Sequence, residues 1–165
     1  MGQASTVFRS VASSAPVSVE EDYHGWLMRQ AGLLRSREAK ALDWEHIAEE
    51  LEAMAGAERR ELLRRLTTLY AHLLKMQYQP ESRRARGRRV TIDRSRLEID
   101  RILNLSPGLR GQVETFARDV YPPARRQAAL DIGLKPRQWK LIPTESPWTL
   151  EQAMDPDFFP VSTDS

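Results

Sequence analysis

The chain has no cysteine among its 165 residues, which excludes disulfides, thiolate metal sites and a cysteine nucleophile. It also has no run of 18 apolar residues, so no segment is expected to cross a bilayer as a helix. Only 7% of the residues are aromatic and only three are histidine, His24, His46 and His72, which limits both base stacking and imidazole chemistry. No G-x-S-x-G elbow is present to place a serine nucleophile. The net charge of +2 is too small to imply a polyanionic partner by itself. The first 20 residues are rich in Ser, Ala and Val but lack the apolar block of a secretory signal, and they read as a disordered lead-in. Met1-Gly2-Gln3-Ala4-Ser5-Thr6 fits the loose myristoylation pattern, and a lone Arg9 is weak support for a transit peptide.

What is present is a segregated charge and a long helical pattern. Glu38–Glu61 carries eight acids against three bases, whereas Arg83–Arg101 carries eight arginines against three acids. One domain is expected over residues 21–160, followed by a short tail at 161–165, since this length suffices for a sizeable core. A first helix is predicted over about Glu21–Leu34, with Tyr23, Trp26, Leu27, Gln30 and Leu34 at helical spacing and Glu21 and Asp22 where the dipole favours negative charge. Asp43 is a good N-cap for a second helix. Trp44, Ile47, Ala48, Leu51, Met54 and Ala55 then recur at steps of three and four, and Leu62, Leu66, Leu69, Leu73 and Met76 extend the stripe. A helix of this length requires partners over its apolar side. Gly56 weakens it by about 1 kcal/mol but does not end it; Pro80 does.

Arg83, Arg84, Arg86, Arg88 and Arg89 point in nearly every direction on a helical wheel, and cations are badly placed at a helix N-terminus. This stretch therefore reads as a basic loop, with the third helix beginning near Thr91 and ending at Leu105. Ile92, Ile99, Ile102 and Leu103 face inward in that reading. Ser106-Pro107 signals the fourth helix, which Pro122-Pro123 should break or kink, and Gly133 should close its continuation. Thr149-x-x-Gln152 resembles a capping box within a Pro-rich tail, where Trp139, Trp148, Phe158 and Phe159 suggest packing onto the bundle. The expected class is all-α, a bundle of four to five helices with one long central helix.

Two strings carry a family resemblance: Leu42-Asp43-x-Glu45-x-Ile47-Ala48-Glu49-Glu50-Leu51-Glu52, and His72-Leu73-Leu74-Lys75-x-Gln77-Tyr78-Gln79-Pro80. With Ser106-Pro107-x-Leu109, Trp148-Thr149-Leu150-Glu151-Gln152, Asp157-Phe158 and Pro160, the chain resembles the bacterial family catalogued as domain of unknown function 29, over about Asp22–Pro160. The resemblance implies an all-helical fold and a prokaryotic cytoplasmic setting, and no activity. The chain departs from that pattern at Arg88-Arg89, where the family tends to carry Trp, and at Pro122-Pro123, where it has uninterrupted helix.

Three candidate sites follow. His46, Glu49 and Glu50, at i, i+3 and i+4, offer an imidazole and carboxylates on one helical face, a pattern di-iron bundles use in pairs. On one continuous helix His72 lies 26 positions on, about 39 Å away, and cannot join them. His72, Lys75, Gln77 and Tyr78 form a second group. On the wheel His72 and Lys75 share the polar flank with Arg65 and Thr68, and the end of the helix needs partners for its last carbonyls, so this group reads either as a terminal cap or as a polar pocket. The third is the Arg83–Arg89 stretch, where arginine grips phosphate bidentately but no aromatic residue between Tyr78 and Phe116 could stack on bases. The expectation is a non-catalytic protein without cofactor that binds a macromolecular partner, through the acidic start of the second helix and the basic stretch. Sequence-tolerant nucleic-acid binding through Arg83, Arg84, Arg86, Arg88 and Arg89 is the alternative, and a metal-dependent enzyme using His46, Glu49 and Glu50 is the second alternative. Oligomeric state is not encoded in any pattern seen here.

Overall fold

Side chains recurring every three to four residues need helices to bring them to one face, and helices are what the computed structural model contains. It describes residues 18–80 and 83–160. The expected lead-in with its Met1–Thr6 pattern and Arg9, and the expected tail at 161–165, fall outside the described residues except for Ser18–Glu20, which form a turn. Helix α1 spans Tyr23–Ser36, α2 Trp44–Tyr78, α3 Ala85–Leu105, α4 Val113–Asp131 and α5 Leu150–Met154, with short 3-10 turns between them and no strand among the described residues. The chain divides into two compact units, Met1–Met54 and Ala55–Ser165.

In the first unit, Asp22 caps α1 by accepting from the Gly25 amide at 2.8 Å. The helix ends at Arg37 in the left-handed region (φ 61°), whose neighbours Leu33 and Leu34 supply the carbonyls for the closing bonds. Asp43 caps α2 as its residue type requires, accepting from the His46 amide at 3.4 Å. Trp26 donates its indole N–H to Asp43 Oδ2 at 3.2 Å, and Gln30 Oε1 accepts from the Asp43 amide at 3.1 Å. Trp26 and Gln30 are the buried residues of α1, so this cap and the unit's small interior are one construction.

Helix α2 passes Gly56 without a break. Its expected apolar side is covered only in part. Trp44, Leu51 and Met54 are exposed (59%, 61% and 66%), while Leu62, Leu66, Leu69, Leu73 and Leu74 in the second unit are fully buried. Each such leucine contributes about 1.5–3 kcal/mol. They pack with Ile92, Ile99 and Ile102 of α3 and with Phe116, Ala117, Val120, Tyr121, Ala124 and Ala128 of α4. Trp139, Trp148, Phe158 and Phe159 of the Pro-rich tail pack against this core, and Thr149 and Gln152 form the capping box at α5.

Two local expectations are corrected. The third helix begins at Ala85, not near Thr91, so Arg86, Arg88 and Arg89 of the expected basic loop lie in its first turns. The reason is packing: Arg88 faces the core side, one turn before Ile92, and is buried. The proline pair does not break α4, which is helical from Val113 to Asp131. The carbonyls that Pro122 and Pro123 leave without a donor belong to Arg118 and Asp119, which are exposed and open to water. Buried Val120 and Tyr121 before the pair and Ala124 after it hold the helix together across it. The helix start signal at Ser106-Pro107 opens a 3-10 turn, Pro107–Gln112, before α4 proper.

Candidate functional site

Within the second unit, the last two turns of α2, the first two turns of α3 and the last residue of α4 enclose a polar cleft of about 570 Å³. Its lining includes His72 and Lys75 from α2, Arg83 and Arg84 just before α3, and Gly87, Arg88 and Thr91 from α3. Asp131 closes it from the end of α4, where a carboxylate sits unfavourably against the negative end of the helix dipole. Lys75 answers that charge, with Nζ 2.8 Å from Asp131 Oδ2. Among the described residues of the lining, four cations thus face one carboxylate.

Two of the cations are recessed, Lys75 and Arg88 both being only 7% exposed. The placement of Lys75 and His72 on a polar flank is therefore corrected: Lys75 is buried and His72 half-buried, because α3 and α4 cover that side of α2. Arg88 is a clamp. Its Nη1 donates to the Lys75 carbonyl at 2.7 Å and to the Gln79 carbonyl at 2.9 Å, and its Nη2 donates to Gln79 Oε1 at 3.0 Å. The last carbonyls of a helix have no partner inside it, and Arg88 supplies one. This helix end is thus capped by Arg88 and not by the side chains of the His72–Gln79 string, of which Tyr78 donates to the Leu141 carbonyl at 2.9 Å and the Gln79 amide group to the Ile132 carbonyl at 3.3 Å, both outside α2. Gln77 Oε1 and His72 Nδ1 are buried without a hydrogen-bond partner.

The five arginines do not act as one array. Arg88 is committed to carbonyls, and the Arg89 guanidinium lies 4.5 Å from the centre of the Phe159 ring. Arg83 and Arg84 line the cleft, and Arg86 is exposed beside it. The aromatic partner of Arg89 comes from the tail, 70 positions away, and no local pattern could have announced it.

Burial, with the charges of Lys75 and Arg88, pushes the His72 imidazole down to about 4, opposed only by Asp131. The folded protein therefore holds His72 neutral, while the unfolded chain protonates it below about 6.5. Folding stability is expected to fall as pH drops from about 6.5 to 4 and to lose nothing more from this group below that range. The full shift would amount to about 3 kcal/mol, which solvent screening of a half-buried ring reduces to about 1–2 kcal/mol. Urea unfolding from pH 4 to 7 checks this: His72→Gln should flatten the slope, and an unchanged slope would assign the acid sensitivity elsewhere.

The His46 group is arranged differently from a metal site. His46 Nδ1 lies 2.9 Å from both carboxylate oxygens of Asp43, and this neighbour raises its pKa. Glu50 accepts from the Tyr23 hydroxyl at 2.7 Å, and Glu49 is exposed. Among the described residues no group of three or more His, Cys, Asp or Glu side chains is placed to hold a metal ion.

The family model described as "Domain of unknown function DUF29" matches residues 19–159, which takes in both units. The chain belongs to the DUF29 family. No curated protein and no solved structure matches it. The DUF29 match spans the whole His72–Pro80 string and the cleft that this string lines.

Proposed function

We propose that this DUF29 protein is a non-catalytic interaction module of the bacterial cytoplasm, and that residues 18–54 dock a basic, apolar-faced segment of a partner protein. One observation carries the reading. This unit exposes Trp44, Leu51 and Met54 on one side of α2 and Met28 on α1, while burying little beyond Trp26 and Gln30. Exposed apolar clusters of this kind accompany protein-binding surfaces. The surrounding charge favours one class of partner, because residues 18–54 hold nine acids against four bases. Acids flanking an apolar stripe speed the encounter with a cationic segment and reject acidic competitors. The bacterial cytoplasmic setting follows from the family resemblance and belongs to the same proposal.

A photo-crosslinking residue at Leu51, introduced in the protein's own host, tests the reading. A discrete adduct to one partner is expected, its docking segment rich in Lys or Arg. Leu51→Asp with Met54→Asp should abolish that adduct when the crosslinker stands at Trp44. Because both positions are exposed, the variant should keep its stability within about 0.5 kcal/mol. Absence of any adduct, or an adduct indifferent to the double substitution, would sink the proposal.

A further inference from the structure

A second cleft of the unit Ala55–Ser165, of about 660 Å³, opens between α4 and the segment that follows the 3-10 turn Pro136–Leu141. Its volume falls within the range of about 300–1,000 Å³ typical of small-molecule sites. Glu114, Arg118 and Pro122, each four positions from the next, line it from one face of α4. Glu145, Trp148 and Leu150 line it from the C-terminal segment. The buried rings of Tyr70 and Tyr121, edge-on at 5.8 Å, back the cleft.

The walls are fixed. Tyr121 donates to the Pro143 carbonyl at 3.2 Å and Arg125 Nε to the Ile142 carbonyl at 2.8 Å, just before the lining segment. Ser146 Oγ donates to the Trp148 carbonyl at 2.7 Å and accepts from the Trp148 amide at 3.2 Å. A cleft held in this way loses little freedom when a ligand enters. Its rim charges, by contrast, are unpaired. Glu114 and Arg118 stand at i and i+4 on α4, the spacing and order at which such residues join. Yet among the described residues neither they nor Glu145 make an ion pair or a side-chain hydrogen bond. Burial pushes the Tyr70 and Tyr121 phenols up to about 12, so the backing rings stay neutral and add no charge of their own.

We propose that this cleft binds a short apolar peptide with free ends, of di- or tripeptide size. One cation and two carboxylates without partners, around a cavity that also offers Pro122, Trp148 and Leu150, match a ligand carrying both signs and an apolar body. Arg118 on α4 takes the terminal carboxylate in its fork, and Glu145 on the C-terminal segment takes the ammonium. A simple amine would meet the like charge of Arg118, and a simple carboxylate would meet two acids. The zwitterion avoids both conflicts. The cleft exceeds what a single amino acid fills, which favours a peptide. The site uses residues of Ala55–Ser165 alone and is independent of the docking reading above.

NMR titration of the full chain tests the site, with leucylphenylalanine, its N-acetyl form, its carboxamide and free phenylalanine as probes and the Trp148 indole N–H as reporter. Saturable millimolar or tighter binding of the free dipeptide that moves this signal is expected, with the other three probes weaker by about threefold or more. Arg118→Gln should weaken the free dipeptide about threefold or more and change the carboxamide by less than about 1.5-fold. Glu145→Gln should weaken the free dipeptide similarly and leave the N-acetyl form unchanged. Both positions are exposed, so these variants are expected to keep the melting temperature. No saturable shift at about 10 mM dipeptide overturns the proposal, as does equal weakening of free and blocked probes by each variant. A carboxamide that binds more tightly than the free dipeptide overturns it in favour of a cation site. Free phenylalanine binding as tightly as the dipeptide overturns it in favour of an amino-acid site.

Discussion

Replacing Arg88 by methionine is expected to destabilise the unit Ala55–Ser165 by about 2–4 kcal/mol, a large share of a small domain's stability. The substitution keeps most of the aliphatic stem and removes three charge-assisted hydrogen bonds. The acceptors do not lose equally. The Lys75 carbonyl still accepts from the Gln79 amide at 3.1 Å, whereas the Gln79 carbonyl and Oε1 are served by Arg88 alone among the described contacts. Burial penalises the guanidinium, as its lowered pKa records, so its removal returns some desolvation energy and keeps the net effect below the sum of three bonds. Lysine at this position should recover less than half of the loss, because a point charge cannot serve three acceptors in a plane. Chemical unfolding followed by helical circular dichroism checks this, with the exposed Arg86→Met as the reference. If Arg88→Met and Arg86→Met fall within about 0.5 kcal/mol of each other, the clamp does not hold the helix end.

The fate of Arg88 also shows what the sequence could and could not tell. The seam Leu62–Leu66–Leu69–Leu73–Met76 was legible because periodicity reports burial directly, and all five are buried. Asp43, the Thr149–Gln152 box and Gly133, at φ 77°, were legible because caps are local chemistry. The start of α3 was not. Local rules weigh five arginines as solvated and hostile to a helix N-terminus, and they have no way to count the carbonyls waiting at the end of α2. Pro122-Pro123 was misread for the same reason, since the core contacts of Val120, Tyr121 and Ala124 come from elsewhere in the chain. The cleft was half legible. His72, Lys75 and the arginines were named as separate candidates; that α3 and α4 close around them, and that Asp131 joins them, is tertiary information. The exposed stripe of α2 was read with the opposite expectation, because helical spacing shows that a face is apolar and not what covers it.

Arg96 is the second position where one side chain should matter more than its surroundings. It is 4% exposed and gathers the tail by three carbonyls: Nε donates to Ala153 at 2.9 Å, Nη1 to Pro156 at 3.4 Å and Nη2 to Phe158 at 2.7 Å. Its guanidinium also lies 5.1 Å from the centre of the Phe159 ring. Arg96→Met should weaken docking of the segment Trp148–Pro160 by about 3 kcal/mol. The loss need not appear in full in the melting temperature, because this segment can open locally while α2, α3 and α4 keep their core. Hydrogen exchange separates the two. Amides of Leu150–Phe159 should lose roughly a hundredfold protection, and those of Leu66–Leu74 much less. Trp148, edge-on to Phe158 at 6.0 Å, should report the same opening by a red-shifted fluorescence. By contrast, Arg89→Gln removes only an exposed cation–π contact and should cost about 0.5–1 kcal/mol. Equal exchange in both regions would mean that the tail is integral to the core; unchanged exchange at Ala153 and Phe158 would mean that Arg96 does not hold it.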